Sequence, residues 1–390
     1  MIRIGFLGYS NDWPGGQNYL LNLFYAISQM RDRKIEPIVI LEASEPEDVV
    51  NLYRQHATVL MKPLLKRYQL AWWLDKASFF LSRKQKSLEP FLLKNNIQVF
   101  FSLSGFHGFK RIKVLTWIPD FQHKHLERMF NASEIVGRDK NLQAAVSTSA
   151  RIILSSKSAL NDLTAFAPQA VSKTRVLNFV GQVASSIFSV DEKDIGLMKL
   201  KYDLPAKFFY LPNQLWKHKN HIAVFEAVHQ LKKEGLRIPV VCSGAMHDYR
   251  NIEHIESLKN FIADQKLGDE IIFLGKISMQ DVYLLYAAAF AVINPSLFEG
   301  WSTTVEECKT LGKRVLLSDI PVHREQSPLG GVYFDPEDSK DIALKLKQIW
   351  TEENQPEPLM SADDLQESLK KRTLKFANSF QDIVEEVLRT

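Results

Sequence analysis

Cysteine is almost missing from this 390-residue chain: Cys242 and Cys308 are the only two, each in an apolar context. That excludes a disulfide framework and fits a reducing compartment. No uncharged run reaches the roughly 20 apolar residues that a bilayer-spanning helix needs. The N-terminus, M-I-R-I-G-F-L-G, is interrupted by Arg3 and followed by Asn11-Asp12, so it reads as a first β-strand and not as a signal peptide. A cytoplasmic protein, at most peripheral on the inner face of the cytoplasmic membrane, is the expectation. There is no internal repeat and no low-complexity segment, which excludes solenoids and disordered classes. The dinucleotide fingerprint G-x-G-x-x-G and an Asp-x-Asp motif beside a strand are missing too.

What is present is globular in composition, 45% apolar and 24% charged, and long enough for two domains. The net charge of +4 hides an asymmetry: residues 1–185 hold 24 Lys/Arg against 14 Asp/Glu, and the remainder 25 against 31. A basic N-terminal half calls for an anionic partner. Residues 62–94 concentrate that charge and interleave it with Trp72, Trp73, Phe79 and Phe80. Such a segment either lies in an anionic membrane interface or forms a core helix with a solvated basic face. No nucleic-acid recognition motif accompanies it.

Strand and helix patterns alternate throughout, the mark of doubly wound sheets. Ile2–Leu7 is a strand, Gly8–Gly16 a loop, and Gln17–Gln29 carries helical apolar spacing. The Gly15-Gly16 pair would let backbone approach a ligand closely; a plain turn is the alternative. Strands Ile97–Leu103 and Lys113–Ile118 follow, the second ending in Pro119-Asp-Phe-Gln-His-Lys-His125. Asp120, His123 and His125 raise the question of a metal. With no fourth ligand indicated, the stronger reading lines an acceptor cleft with one of these side chains. Periodicity lapses over residues 181–205, which places a boundary between domains 1–185 and 186–374, with an amphipathic C-terminal helix near 375–390 packing back on the first.

The stretch Val292–Glu307, V-I-N-P-S-L-F-E-G-W-S-T-T-V-E-E, organises the second half. An apolar strand stops at Pro295, and Ser302, Thr303 and Thr304 are good helix-start residues. A helix start offers unpaired N–H groups and the positive end of the dipole, which suits a phosphate. Glu299 and Glu307 flank it, and carboxylates beside a phosphate site suit sugar hydroxyls.

With G-K-R-V-L-L-S-D-I-P-V-H-R-E and Y-F-D-P-E-D in register behind it, this stretch resembles the retaining glycosyltransferases of family 4. The N-terminal G-G-Q-N-Y-L-L-N-L, P-D-F-Q-H and S-S-K-S-A-L-N-D-L fit the same family. The resemblance implies a GT-B fold, two Rossmann-like doubly wound α/β domains facing a central cleft. It implies transfer of a sugar from a UDP- or GDP-linked donor to a glycan or lipid-linked acceptor, in cell-surface polysaccharide or lipopolysaccharide biosynthesis, with no cofactor and no metal. Glu307 would hold the ribose hydroxyls, Glu299 those of the donor sugar, and the amides of Ser302–Thr304, with Gly300 and Trp301 beside them, the phosphate. Lys219 matches the family's diphosphate-binding Lys. Gln214 stands where the family has Arg, leaving Lys217 as the nearby substitute. Pro119 stands where many members have His, leaving His123 beside Asp120 as the nearest one. Gly244 and Ile277 mark the loops that would meet the base, and Gly15-Gly16 would face the donor from the first domain. An epimerase or phosphorylase on the same fold, or a non-catalytic partner subunit, are the alternatives. Should segment 62–94 dock on anionic lipid, co-sedimentation with vesicles is expected to fall as salt rises and as its Lys/Arg residues are changed to Ala; binding indifferent to salt would place it in a core instead.

Overall fold

Short apolar runs buried on both faces form parallel strands when helices cover each side, and both sheets here are built this way. The computed structural model describes residues 1–8, 14–62, 88–103, 108–183, 188, 190–248, 250–352 and 359–389. The chain divides into two units. One comprises Met1–Phe121, Ala132–Val180 and Lys370–Thr390; the other comprises Gln122–Asn131 and Gly181–Leu369. The segment Gln122–Asn131, assigned by sequence to the first domain, thus belongs to the second unit. Most of the basic, Trp-rich segment (63–87) and part of the glycine loop (9–13) lie outside the described residues. Among the described residues no helix is long and apolar enough to cross a membrane.

In the first unit the strands are β1 (Ile2–Leu7), β2 (Ile35–Glu42), β3 (Thr58–Lys62), β4 (Val99–Leu103), β5 (Lys113–Ile118), β6 (Arg151–Leu154) and β7 (Thr174–Val176). They pair in parallel in the order β3-β2-β1-β4-β5-β6-β7. The edge strand β3, only partly buried, carries no alternating pattern and is invisible to periodicity. The first helix begins at Pro14, not at Gln17. Proline's fixed φ suits the first turn, so Gly15 and Gly16 belong to the helix and not to the loop before it.

The second unit holds β8 (Phe209–Leu211), β9 (Val240–Ser243), β10 (Ile271–Gly275), β11 (Ala291–Asn294), β12 (Val315–Ser318) and β13 (Gly331–Phe334). They pair in parallel in the order β10-β9-β8-β11-β12-β13. Alternate residues feed two cores. Phe209, Leu211, Cys242 and Ile293 pack under the helices His221–Lys233 and Ser339–Trp350. Tyr210, Val292 and Leu317 pack with Val305 and Cys308 under Met279–Ala288 and Thr303–Leu311. The two cysteines sit in different cores and remain free thiols. Within residues 181–205, where sequence periodicity lapses, Glu192–Lys201 is a helix capped by Asp191. It buries only Met198, so it has no apolar stripe to read.

The C-terminal helix is longer than its apolar pattern, Ala362–Arg389. Its last part is built into the first unit: Phe380 is fully buried, 5.6 Å from Phe101 and 6.3 Å from Phe6 between ring centres. Gln381 Oε1 accepts the Lys34 amide at 2.8 Å, and Glu386 pairs with Arg151 and Arg175. Replacing Phe380 with Ala should cost about 3–5 kcal/mol, seen as a lower denaturant midpoint for the first unit. An unchanged midpoint would show that this helix contributes little to that core.

Candidate functional site

In the second unit the chain order reverses between β8 and β11: from β8 it turns to β9 on one side, while β11 lies on the other. Ligands of open α/β sheets bind beyond the strand carboxyl ends at such a switch point. The loops after β8 and β11 leave side by side and are tied by the Leu297 amide, which donates to His218 O at 2.9 Å. Lys219 Nζ meets Glu299 Oε1 at 2.6 Å, with 19% and 10% of the side chains exposed. Ser296 Oγ, 2.7 Å from the same oxygen, holds the carboxylate from the strand side. Two residues 80 apart in sequence are therefore one ion pair.

Beyond Glu299 the helix Thr303–Leu311 is capped by Ser302, whose Oγ accepts the Val305 amide. The cap rests on a buried polar network. Asn294 Nδ2 donates to Ser302 Oγ at 2.8 Å. Gln326 grips the same residue twice: its Oε1 accepts the Ser302 amide at 3.0 Å and its Nε2 donates to Ser302 O at 2.9 Å. His323, fully buried, has Nδ1 3.0 Å from Ser318 O and Nε2 3.5 Å from Asn294 Nδ2. Burial pushes its pKa down, so the ring is neutral, donating from Nδ1 and accepting at Nε2. One expected phosphate ligand changes in consequence. The Ser302 amide is engaged by Gln326, and Thr303 and Thr304 supply the first-turn amides that helix geometry leaves without an internal partner.

Glu307 follows one turn along. Burial raises its carboxyl to about 7, against a hydrogen bond from Tyr286 Oη at 2.5 Å that lowers it. Gly244, at the end of β9, has φ +139°, and a Cβ there would stand 2.7 Å from Asn213 O and 2.8 Å from Gln214 Cα; only glycine lets these loops meet. Gln214 and Lys217 are exposed, Ile277 is half-buried against the core, and Gly300 and Trp301 complete the turn between Glu299 and the cap.

The remaining residues singled out from sequence divide between the two units. Gly15, Gly16 and Asp120 belong to the first unit, where the Asp120 carboxylate lies 3.9 Å from the Arg138 guanidinium. His123 is in the second unit but buried, its ring edge-on to Phe130. His125 lies against Phe298, 4.9 Å between ring centres. Ser296, His323 and Gln326 escaped notice: polar residues after a strand look solvated until the fold shows them inside.

Residues 199–371 match the family model described as Glycosyl transferases group 1. The O-antigen chain mannosyltransferase RfbU of Salmonella typhimurium is 28% identical over 161 residues, 41% of this chain and 42% of RfbU. The serotype-specific mannosyltransferase WbdA of Escherichia coli is 27% identical over 187 residues, 47% of this chain and 22% of WbdA. The chain thus matches under half the length of either relative. Over the whole chain, the crystal structure of Anabaena HepE in complex with UDP and glucose superposes with a TM-score of 0.71 at 16% identity, covering 99% of this chain and 100% of HepE. The fold is GT-B. In GT-B terms β8–β13 form the second Rossmann-like sheet, and the Lys219–Glu299 pair stands at its switch point.

The raised Glu307 pKa gives a stability prediction. A carboxyl near 4.5 when unfolded and about 7 when folded holds more protons in the folded state between those values. Its contribution to stability therefore falls as pH rises through that window. Glu307→Gln should raise the melting temperature of the ligand-free protein above pH 7 and narrow that gain toward pH 4.5, the ordinary value of this carboxyl. A melting temperature that drops equally at both pH values would contradict the assignment of a strained, charged carboxylate.

Proposed function

We propose that this protein is a retaining glycosyltransferase that moves a hexosyl group from a UDP- or GDP-linked donor to a glycan or lipid-linked acceptor in cell-surface polysaccharide or lipopolysaccharide biosynthesis. The observation that carries this reading is the Lys219–Glu299 ion pair beside the capped start of the helix Thr303–Leu311. The similarity of residues 199–371 to group 1 glycosyl transferases and the two mannosyltransferase relatives support the same activity. Cell-surface polysaccharide synthesis is supported by the similarity to RfbU, an O-antigen chain mannosyltransferase.

Breaking the bond between sugar C1 and the diphosphate puts negative charge on phosphate and positive charge on the sugar. The Thr303 and Thr304 amides and Lys219 would stabilise the first, as fixed dipoles and a cation that need no reorganisation. Glu299 would take donor-sugar hydroxyls and Glu307 the ribose hydroxyls. The leaving phosphate oxygen would accept the proton of an acceptor hydroxyl attacking from its own face, which retains configuration at C1 without a protein nucleophile. Cation and helix dipole together serve the role that a metal takes in other transferases, so the reading is metal-independent.

The test is release of UDP or GDP from a panel of sugar nucleotides with acceptor present, after a thermal-shift screen for the donor that stabilises the protein. Lys219→Ala and Glu299→Ala should each lower turnover by about 10²–10³-fold, and a chelator should leave the rate unchanged. Full turnover by Glu299→Ala would remove its assigned role. Interconversion of the free sugar nucleotide without acceptor would establish an epimerase instead.

A further inference from the structure

Arg250 has no part in the chemistry above, yet its side chain is only 4% exposed. Its guanidinium lies between two rings, 4.7 Å from the centre of Trp216 and 5.0 Å from that of Phe130. Nη1 donates to Gln122 Oε1 at 3.1 Å, and Nη2 lies 3.4 Å from His218 Nδ1. The fully buried Asp248 carboxylate stands 3.8 Å from Nε. Asp248 also accepts the amides of Lys217 and Arg250, each at 3.0 Å. One cation therefore joins three stretches of the second unit: Gln122–Asn131, the loop after β8 and the loop after β9. Arginine suits this place because a planar guanidinium stacks on rings through its faces and donates from its edge; a lysine ammonium does only part of this. Burying the pair is costly, so the arrangement asks for a use.

The loop it grips carries Lys219. His218 O accepts the Leu297 amide, and Lys219 reaches Glu299. From the clasped segment His125 lies on Phe298, the residue before Glu299. We propose that Arg250 is a positioning residue: by fastening Gln122–Asn131 against Trp216–Lys219 it holds Lys219 Nζ on Glu299 and so sets the geometry of the donor site. The inference rests on the sugar-nucleotide reading of that site.

The clasp needs a neutral His218, because Nδ1 must accept from Arg250. Burial, then Lys219, Arg250 and His221, all push the His218 pKa well down. Across the clasp, Asp248 stays ionised: burial alone would raise its carboxyl, but the two amides and Arg250 hold it below its ordinary value. The experiment follows the His218 ring by NMR on histidine-labelled protein, and kcat/KM, through the acid-to-neutral range, in the native protein and in Arg250→Ala, Arg250→Lys and Gln122→Ala. Arg250→Ala should move the His218 titration to higher pH, carry the acid limb of kcat/KM upward with it, and lower kcat/KM by about 10²-fold through misplacement of Lys219. Arg250→Lys keeps a cation beside His218 and should leave the titration low while still losing turnover. Gln122→Ala should lose less. In Arg250→Ala, an unmoved His218 titration, or a loss of kcat/KM with the acid limb in place, would overturn the proposal. If Arg250→Ala does not fold, the other two variants decide: native kcat/KM in both overturns it. The NMR arm needs no substrate, so a native protein that turns over no sugar nucleotide would defeat the functional reading while the titration still judges the clasp.

Discussion

The backbone of one residue, Ser302, bears the weight of the site. Gln326 accepts the Ser302 N–H with its carbonyl oxygen and donates to the Ser302 carbonyl with its amide nitrogen. The turn from β11 into the helix therefore cannot rotate without breaking two buried hydrogen bonds. Around it Asn294, Ser296, Ser318 and His323 have no exposed surface, and each holds a neighbour in place. A buried polar network that is half satisfied costs more than an apolar one, so this one forms as a whole. The network reaches Glu299 through Ser296, whose Oγ lies 2.8 Å from Asn294 Oδ1 and 2.7 Å from Glu299 Oε1, its single hydroxyl hydrogen serving one of the two acceptors at a time. Electrostatic stabilisation of a developing charge is most effective when the dipoles are already in place, and this network keeps them so.

The parts legible in sequence are those written in local pattern. Pro295 after an apolar run marks the strand end and Ser302, a good helix-start residue, marks the helix cap, and both are where the sequence puts them. The Lys219–Glu299 pair is of another kind. Nothing in a separation of 80 residues announces a contact; Glu299 stands out by its place before a helix start, and Lys219 only through the resemblance. His323 lies within the segment D-I-P-V-H-R-E and Gln326 just beyond it, yet a six-residue helix after a strand gives no sign of which side faces inward. The helix Glu192–Lys201 and strand β3 were unreadable because each buries too little to leave a period. The membership of Gln122–Asn131 in the second unit is a tertiary fact with no local signature at all.

Where the resemblance leads to the expectation of an Arg the chain has Gln214, and the charges of the second unit show which cations stand near the Lys219–Glu299 pair. Arg250 is committed to Asp248 and the clasp, and the Lys217 side chain is exposed. Lys219 is then the partly buried cation at the switch point, and it is paired with Glu299. A donor diphosphate arriving at the Thr303 and Thr304 amides would compete for that ammonium. As Lys219 turned toward phosphate, Glu299 would lose part of its partner in a place where an unpaired carboxylate is expensive. Donor-sugar hydroxyls are what would restore its hydrogen bonds. Phosphate and sugar recognition would thereby be coupled through one ion pair: a ligand supplying the phosphate but not the hydroxyls would leave Glu299 short of partners. Under the proposed function the Lys219–Glu299 pair would be more than a resting-state salt bridge, each member holding the other in place until a donor replaced both contacts at once.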